Sequence, residues 1–171
     1  MRNRLFYHRW IRQLPILLTG IALSLSVANL GASEVSANTK NEKITQAIET
    51  LQQSQQRWIQ INLSKQNLVA WEGKTPVYAI TISTGKKSTP TRVGSFKIQS
   101  KHKSTRMRGR DYDVPNVPHA MFYQGNYGIH GAYWHRRFGT PVSHGCVNVA
   151  PNHAKWLFDW ASVGTPIVIH K

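Results

Sequence analysis

Cysteine is nearly missing from this 171-residue sequence; Cys146 is the only one. One cysteine excludes an internal disulfide framework. Acidic side chains are also few, 7 Asp+Glu against 22 Lys+Arg, for a formal net charge of +15. That imbalance calls for an anionic partner or surroundings, and nucleic acid, an anionic envelope polymer and acidic lipid headgroups all satisfy it on charge alone. Internal repeats and low-complexity segments are absent. The apolar stretch Leu14 to Leu30 is broken by Pro15 and by Thr and Ser, so it is marginal as a spanning helix of about 20 residues. What is present, 40% hydrophobic residues and six Trp, suffices for one packed core. The length therefore reads as one domain with room for an appendage.

Residues 1–13 carry Arg2, Arg4, Arg9 and Arg12 and no acid; the apolar stretch follows, then Val35-Ser36-Ala37. This is the order of a secretory signal peptide, with small residues where a peptidase cuts. Residues 1–37 are expected to be a leader cleaved after Ala37, or, in the competing reading, an uncleaved anchor and the only membrane attachment. Residues 1–13 hold no paired-arginine motif, which favours Sec-type export to the cell envelope or periplasm. Loss of Arg2, Arg4, Arg9, Arg12 and Glu34 leaves 18 cations against 6 acids, or +12. The basic character belongs to the domain as well as to the leader.

Residues 38–56 are expected to form an N-terminal helix, with Ile44, Ala47, Ile48 and Leu51 on one stripe and Thr39 or Asn41 as its cap. From Arg57 the period changes to two. Runs at Trp58–Leu63, Leu68–Glu72 and Pro76–Thr84, separated by polar turns, predict an antiparallel sheet or barrel over 57–171. Gln99 to Pro118 reads as a long irregular loop, rich in Lys and Arg, that is a solvated face or a substrate flap. Ala120–Tyr123 and Ile167–Ile169 read as strands. Pro151–Ala161 reads as a helix with Pro at its start and an apolar face of Trp156, Leu157 and Trp160.

The chemistry concentrates between Tyr127 and Asn148, which hold Cys146, His130, His135, His144 and four glycines. A lone cysteine is by type alone a small buried hydrophobe. Here polar and small residues surround it: Ser143-His144-Gly145-Cys146. A thiol needs a basic neighbour to become nucleophilic, and His130 and His144 are the candidates. Gly145 permits a tight turn before the sulfur, and such a turn can aim successive N–H groups at an oxyanion.

Ile129-His130-Gly131, then Ser143-His144-Gly145-Cys146-Val147-Asn148, resemble the signature of the L,D-transpeptidases with a YkuD-type catalytic domain. Ser83-Thr84-Gly85 and the segment Thr89-Pro90 to Ile98 resemble the same family, and the likeness runs from Arg57 to Lys171. The resemblance implies a mainly β fold, sandwich or barrel-like, with a short N-terminal helix and a helix after the catalytic cysteine. It implies Cys146 as nucleophile, His130 as general base and then general acid, and the carbonyl of Gly131 as the group orienting His130. Ser143 would hold the loop through its hydroxyl, with His144 supporting it. Gly145 and Cys146 N–H groups would form the oxyanion hole. Asn148, where many relatives carry Arg, would bond substrate or loop. Trp134 and Tyr112 would line the pocket. His135, Arg136 and Arg137 read as an exposed basic turn, with contact to a substrate carboxylate as the other reading.

The implied reaction is acyl transfer on peptidoglycan tetrapeptide stems. A thioester on Cys146 is resolved by a second stem to give a 3→3 cross-link, by water to give carboxypeptidase activity, or by an envelope-protein amine. Carbapenems are expected to acylate the thiol. No cofactor, metal or nucleic acid is expected, and a monomer is. A zinc site from His130, His135, His144 and Cys146 lacks the usual ligand spacing. A sortase-like enzyme is expected to use an Arg after its Cys, and none follows Arg137 here. The alternative function is a non-catalytic, basic domain that binds an envelope polymer.

Overall fold

A computed structural model describes residues 28–171 of the chain. The leader expected over 1–37 lies outside the described residues up to position 27. The N-terminal helix, α1, runs Ala28–Gln53. It therefore begins ahead of the expected start at 38 and ends before 56. Thr39 and Asn41 do not cap it: the Thr39 hydroxyl donates back to the carbonyl of Ser36 at 3.0 Å, a bond made inside a helix. The expected stripe holds. Ile44 packs with Trp58 and Val168, and Ala47, Ile48 and Leu51 lie against that cluster. Among the described residues no helix is long and apolar enough to cross a membrane.

Nine strands follow: β1 (Arg57–Asn62), β2 (Asn67–Glu72), β3 (Thr75–Thr81), β4 (Gly94–Lys97), β5 (Ser100–Arg108), β6 (Asp113–Gln124), β7 (Tyr127–Gly131), β8 (Val147–Val149) and β9 (Pro166–His170), with helix α2 (Pro151–Trp160) between the last two. They build two sheets, β3-β2-β1-β9-β4 and β5-β6-β7-β8. One core lies between them: Ile59 and Ile61 of β1, Ile167 and Ile169 of β9, Met121 of β6, Ile129 of β7 and Val147 of β8 all belong to it. The alternation of strand side chains explains both faces. Ile59 and Ile61 point inward, while Trp58 and Val168 point outward to meet α1. This is the mainly β, two-helix sandwich expected.

Pro151 opens α2 directly after Ala150, and Ala154 and Leu157 are its buried residues. Leu157 is fully buried, and its truncation to Ala is worth about 2–5 kcal/mol on the usual scale for core leucines.

The segment read as a long loop, 99–118, is instead most of a β-hairpin. β5 and β6 pair antiparallel from Ser100↔Phe122 to Arg108↔Asp113, with a register shift between Thr105 and Met107. Within the hairpin only the turn at residues 109–112 is irregular. The apolar alternation that marks a strand is missing because β5 is an edge strand whose side chains largely face water. Pro115 and Pro118 lie within β6, where Asn116 and His119 take positive φ of 52° and 54°.

Candidate active site

β7 and β8 pair in parallel, with Ile129 opposite Val147 and His130 opposite Asn148. Ile129 and Val147 enter the core. Their neighbours must therefore project from the other face, which puts His130, Asn148 and the preceding Cys146 on one side of the sheet. That side is a cavity of about 320 Å³. Its walls are His130, Trp134, His135, Arg137, Val142, Ser143, His144, Cys146 and Asn148, with Met107, Tyr112 and Val114 from the β5–β6 hairpin.

His130 is 2% exposed. Its Nδ1 is 3.1 Å from the carbonyl oxygen of Gly131. A carbonyl only accepts, so Nδ1 carries the proton and Nε2 is the basic nitrogen. Burial disfavours the imidazolium and lowers the His130 pKa to about 4, although the Gly131 bond opposes the shift. Trp134 stacks over the ring, with centroids 5.8 Å apart.

Cys146 opens partly to the cavity but is crowded elsewhere, and burial raises its thiol pKa, with a Gly128 backbone bond opposing. The thiol lies 3.5 Å from the carbonyl oxygen of Asn126. No hydrogen bond joins it to His130 among the described residues. The two expected partners share one cavity, then, with the sulfur turned toward the β6–β7 turn.

The loop carrying Cys146 is held by its own serine and by a segment distant in sequence. Ser143 Oγ donates to the carbonyl of Cys146 at 2.5 Å and accepts the N–H of Gly145 at 3.0 Å. This corrects the expected oxyanion hole: the Gly145 N–H is already taken. Among the described residues no acceptor takes the N–H of Cys146. From outside the loop, Thr91 Oγ1 donates to the Gly145 carbonyl (2.8 Å) and accepts the Gly85 N–H (2.9 Å). Thr89 Oγ1 and the Lys86 N–H both donate to the Ser143 carbonyl. Ser83 and Asn148 exchange backbone bonds at 2.8 and 2.9 Å. Residues 83–91 thus clamp the cysteine loop to the end of β3.

His144 meets Asp111 of the hairpin turn, Nε2 to Oδ2 at 3.1 Å, and Tyr112 stacks on its ring with centroids 4.8 Å apart. His144 tethers the hairpin tip over the cavity. Asp111 is held below its ordinary pKa, first by this bond, and burial pushes the Tyr112 phenol up.

His135 was expected in an exposed basic turn. It is half-buried, and burial, then the Arg137 charge, lowers its pKa. Its Nδ1 accepts the Arg137 backbone N–H at 3.1 Å, so the neutral ring carries its proton on Nε2. Nε2 is 2.8 Å from Asn148 Nδ2; because a protonated Nε2 can only donate, the amide is assigned in its flipped orientation, with its oxygen toward the ring. Asn148 therefore serves the loop through His135. His135, Arg137, Val142, Met107 and Val114 are lining residues that the motif did not select; the histidine and arginine carried only a charge signal, and the apolar three carried none. Among the described residues no three His, Cys, Asp or Glu side chains converge to hold a metal ion.

Comparison with known proteins bears on this geometry. A family model described as the L,D-transpeptidase catalytic domain, YkuD, matches residues 56–169. L,D-transpeptidase 1 of Mycobacterium tuberculosis is 34% identical over 99 residues, 51% of this chain and 39% of that protein. L,D-transpeptidase 2 of the same species is 34% identical over 101 residues, 52% of this chain and 24% of that one. The chain thus spans less than half the length of these curated relatives. Among solved structures, an L,D-transpeptidase from Mycobacterium smegmatis superposes with a TM-score of 0.64 at 25% identity, over 68% of this chain and 59% of the other. LD transpeptidase LdtMt1 in complex with imipenem gives 0.63 at 28%, over 67% and 58%. The catalytic domain of the Enterococcus faecium L,D-transpeptidase gives 0.62 at 27%, over 68% of this chain and 98% of that domain. With the family model covering two sheets, the cysteine loop and α2, the chain belongs to the L,D-transpeptidase (YkuD) family.

Proposed function

We propose that this chain is an exported, monomeric peptidoglycan L,D-transpeptidase working through a thioester on Cys146. The observation that carries the reading is the shared cavity of Cys146 and His130 within a family-matched domain. The donor is a tetrapeptide stem with an amide between the L-centre of a diamino acid and a terminal D-Ala. Because the thiol and the imidazole are each held neutral, proton transfer accompanies attack. The thiol swings from the Asn126 carbonyl toward His130, Nε2 takes its proton, and the sulfur adds to the donor carbonyl carbon. The Cys146 N–H faces the oxyanion. His130 returns the proton to the departing D-Ala nitrogen and the C–N bond breaks, leaving the thioester. A side-chain amine of a second stem then attacks the thioester, His130 accepts its proton, and the sulfur leaves as the thiol. Water in place of the amine gives carboxypeptidase activity. The net positive charge favours an anionic envelope polymer as surroundings, and residues 1–37 direct the chain to the periplasm.

Intact-mass spectrometry of the full chain with a carbapenem tests this. A covalent adduct on the parent, absent from Cys146→Ala and slow in His130→Ala, is expected. A folded parent that gains no mass overturns the mechanism and leaves the polymer-binding reading.

A further inference from the structure

We propose that Arg137 is a specificity-determining residue whose guanidinium takes a carboxylate of the acyl donor beside the scissile amide. The inference rests on the acyl-transfer reading above and adds a feature that the donor must carry. Among the described residues lining the cavity there is no Asp or Glu, and Arg137 is the one side chain with a permanent charge. The other walls are apolar, aromatic, amide, hydroxyl, thiol or imidazole.

Three backbone bonds fix where Arg137 starts. Its N–H donates to His135 Nδ1 at 3.1 Å, and its carbonyl accepts from Ser83 Oγ at 2.7 Å and from the Thr140 N–H at 3.3 Å. Ser83 in turn is bonded through its backbone to Asn148, so the Arg137 Cα is tied to the strand that follows Cys146. The side chain is left exposed. It makes no hydrogen bond or ion pair with the described residues. Arg57, Arg106 and Arg108, by contrast, are each taken up by Glu72 or Asp113. A fixed base and an unclaimed guanidinium at an acid-free cavity suit a planar, two-oxygen anion, which that fork binds through paired N–H bonds. His135 feels the same charge, which helps keep it neutral and leaves Arg137 as the cation that meets the ligand. Arg136, also exposed, is not a lining residue and serves as the internal control.

The leaving D-Ala carries one carboxylate at its terminus beside the reacting amide, and a diamino acid with a side-chain carboxyl group would place a second one on the other side. The test uses the full chain and three synthetic tetrapeptide donors, one with both carboxylates free, one amidated at the terminus and one amidated on the side chain. Arg137→Gln is expected to lower kcat/KM for the free donor about tenfold, the usual loss for one charge-assisted bond, through KM with kcat nearly kept. Amidating the carboxylate that Arg137 meets should cost the parent a similar factor, with no further loss in Arg137→Gln on that donor, which identifies the source. Arg137→Lys should recover part of the loss, and Arg136→Gln should match the parent. Equal loss on all three donors, or no loss on any, overturns the anchor alone. A folded parent that turns over none of them, and takes no carbapenem on Cys146, overturns the acyl-transfer reading together with the anchor.

Discussion

His130 Nδ1 donates to the carbonyl of Gly131, its own neighbour in β7, across 3.1 Å. The bond sets the tautomer but brings no negative charge, so little opposes the cost of burying an imidazolium. With its pKa lowered to about 4 in the fold and near 6.5 in the unfolded chain, the unfolded state binds the extra proton between these values. Stability therefore falls as pH drops from about 6.5 to about 4, by on the order of 3 kcal/mol from this residue. Melting temperatures across that window should drop for the parent more than for His130→Gln. Parallel curves would show that His130 does not titrate as its burial demands.

The thiol pKa is raised, chiefly by burial. A resting thiolate–imidazolium pair is therefore not expected; Cys146 should behave as a neutral thiol until substrate arrives. Iodoacetamide alkylation, followed by mass, should be slow at pH 7 and climb only above the ordinary thiol range of about 8.5. Fast alkylation at pH 6 would mean that an ion pair forms at rest.

Ser143 occupies both sides of the turn before Cys146, donating to one carbonyl and accepting one N–H. Ser143→Ala leaves the buried Gly145 N–H without its acceptor. The expected cost is about 1–3 kcal/mol, seen in chemical denaturation, with slower acylation by a carbapenem. Ser143→Thr, which keeps the hydroxyl, should recover acylation more fully than stability, because a methyl must enter a site only 7% exposed. Unchanged acylation in Ser143→Ala would remove the serine from the positioning of Cys146.

How far the sequence led depends on how local each signal is. Ser143, His144, Gly145 and Cys146 are consecutive, and His130 lies one strand away, so the heart of the cavity was legible from its motif. The first sheet was legible from its period of two, as in its central strand β1, where Ile59 and Ile61 alternate with Trp58 and Gln60. The β5–β6 hairpin was not, because an edge strand with Lys103, Arg106 and Arg108 exposed has no apolar period to read, and Pro115 and Pro118 read as breakers. The role of Thr91 was hidden for a different reason. It meets Gly145 across 54 positions of chain, and nothing in its own neighbourhood announces that contact. The Gly145 N–H shows the converse: a motif names the residue, while the neighbour that takes its hydrogen bond decides what it can do.

Gly85 and Gly145 press the clamp and the cysteine loop together, and their substitutions should fail differently. A Cβ on Gly85 would lie 2.1 Å from the Thr89 carbonyl oxygen, 2.7 Å from the Thr91 nitrogen and 2.9 Å from the Gly145 Cα. All three are backbone atoms, so no rotamer change relieves the overlap. A Cβ on Gly145 would meet the Tyr127 ring at 2.5 Å, a side chain able to shift, but its φ of +114° is itself strained for any other residue. Gly145→Ala is expected to cost about 1–3 kcal/mol and to slow acylation by distorting the turn at the sulfur. Gly85→Ala is expected to cost about 3 kcal/mol or more, at or beyond the upper end for overpacking, and to slow acylation although it adds no atom to the cavity wall. Denaturation midpoints and carbapenem acylation rates for both variants decide it. If Gly85→Ala keeps the parent rate, residues 83–91 support the sheet alone, and the cysteine loop is held by Ser143 and β8 without them.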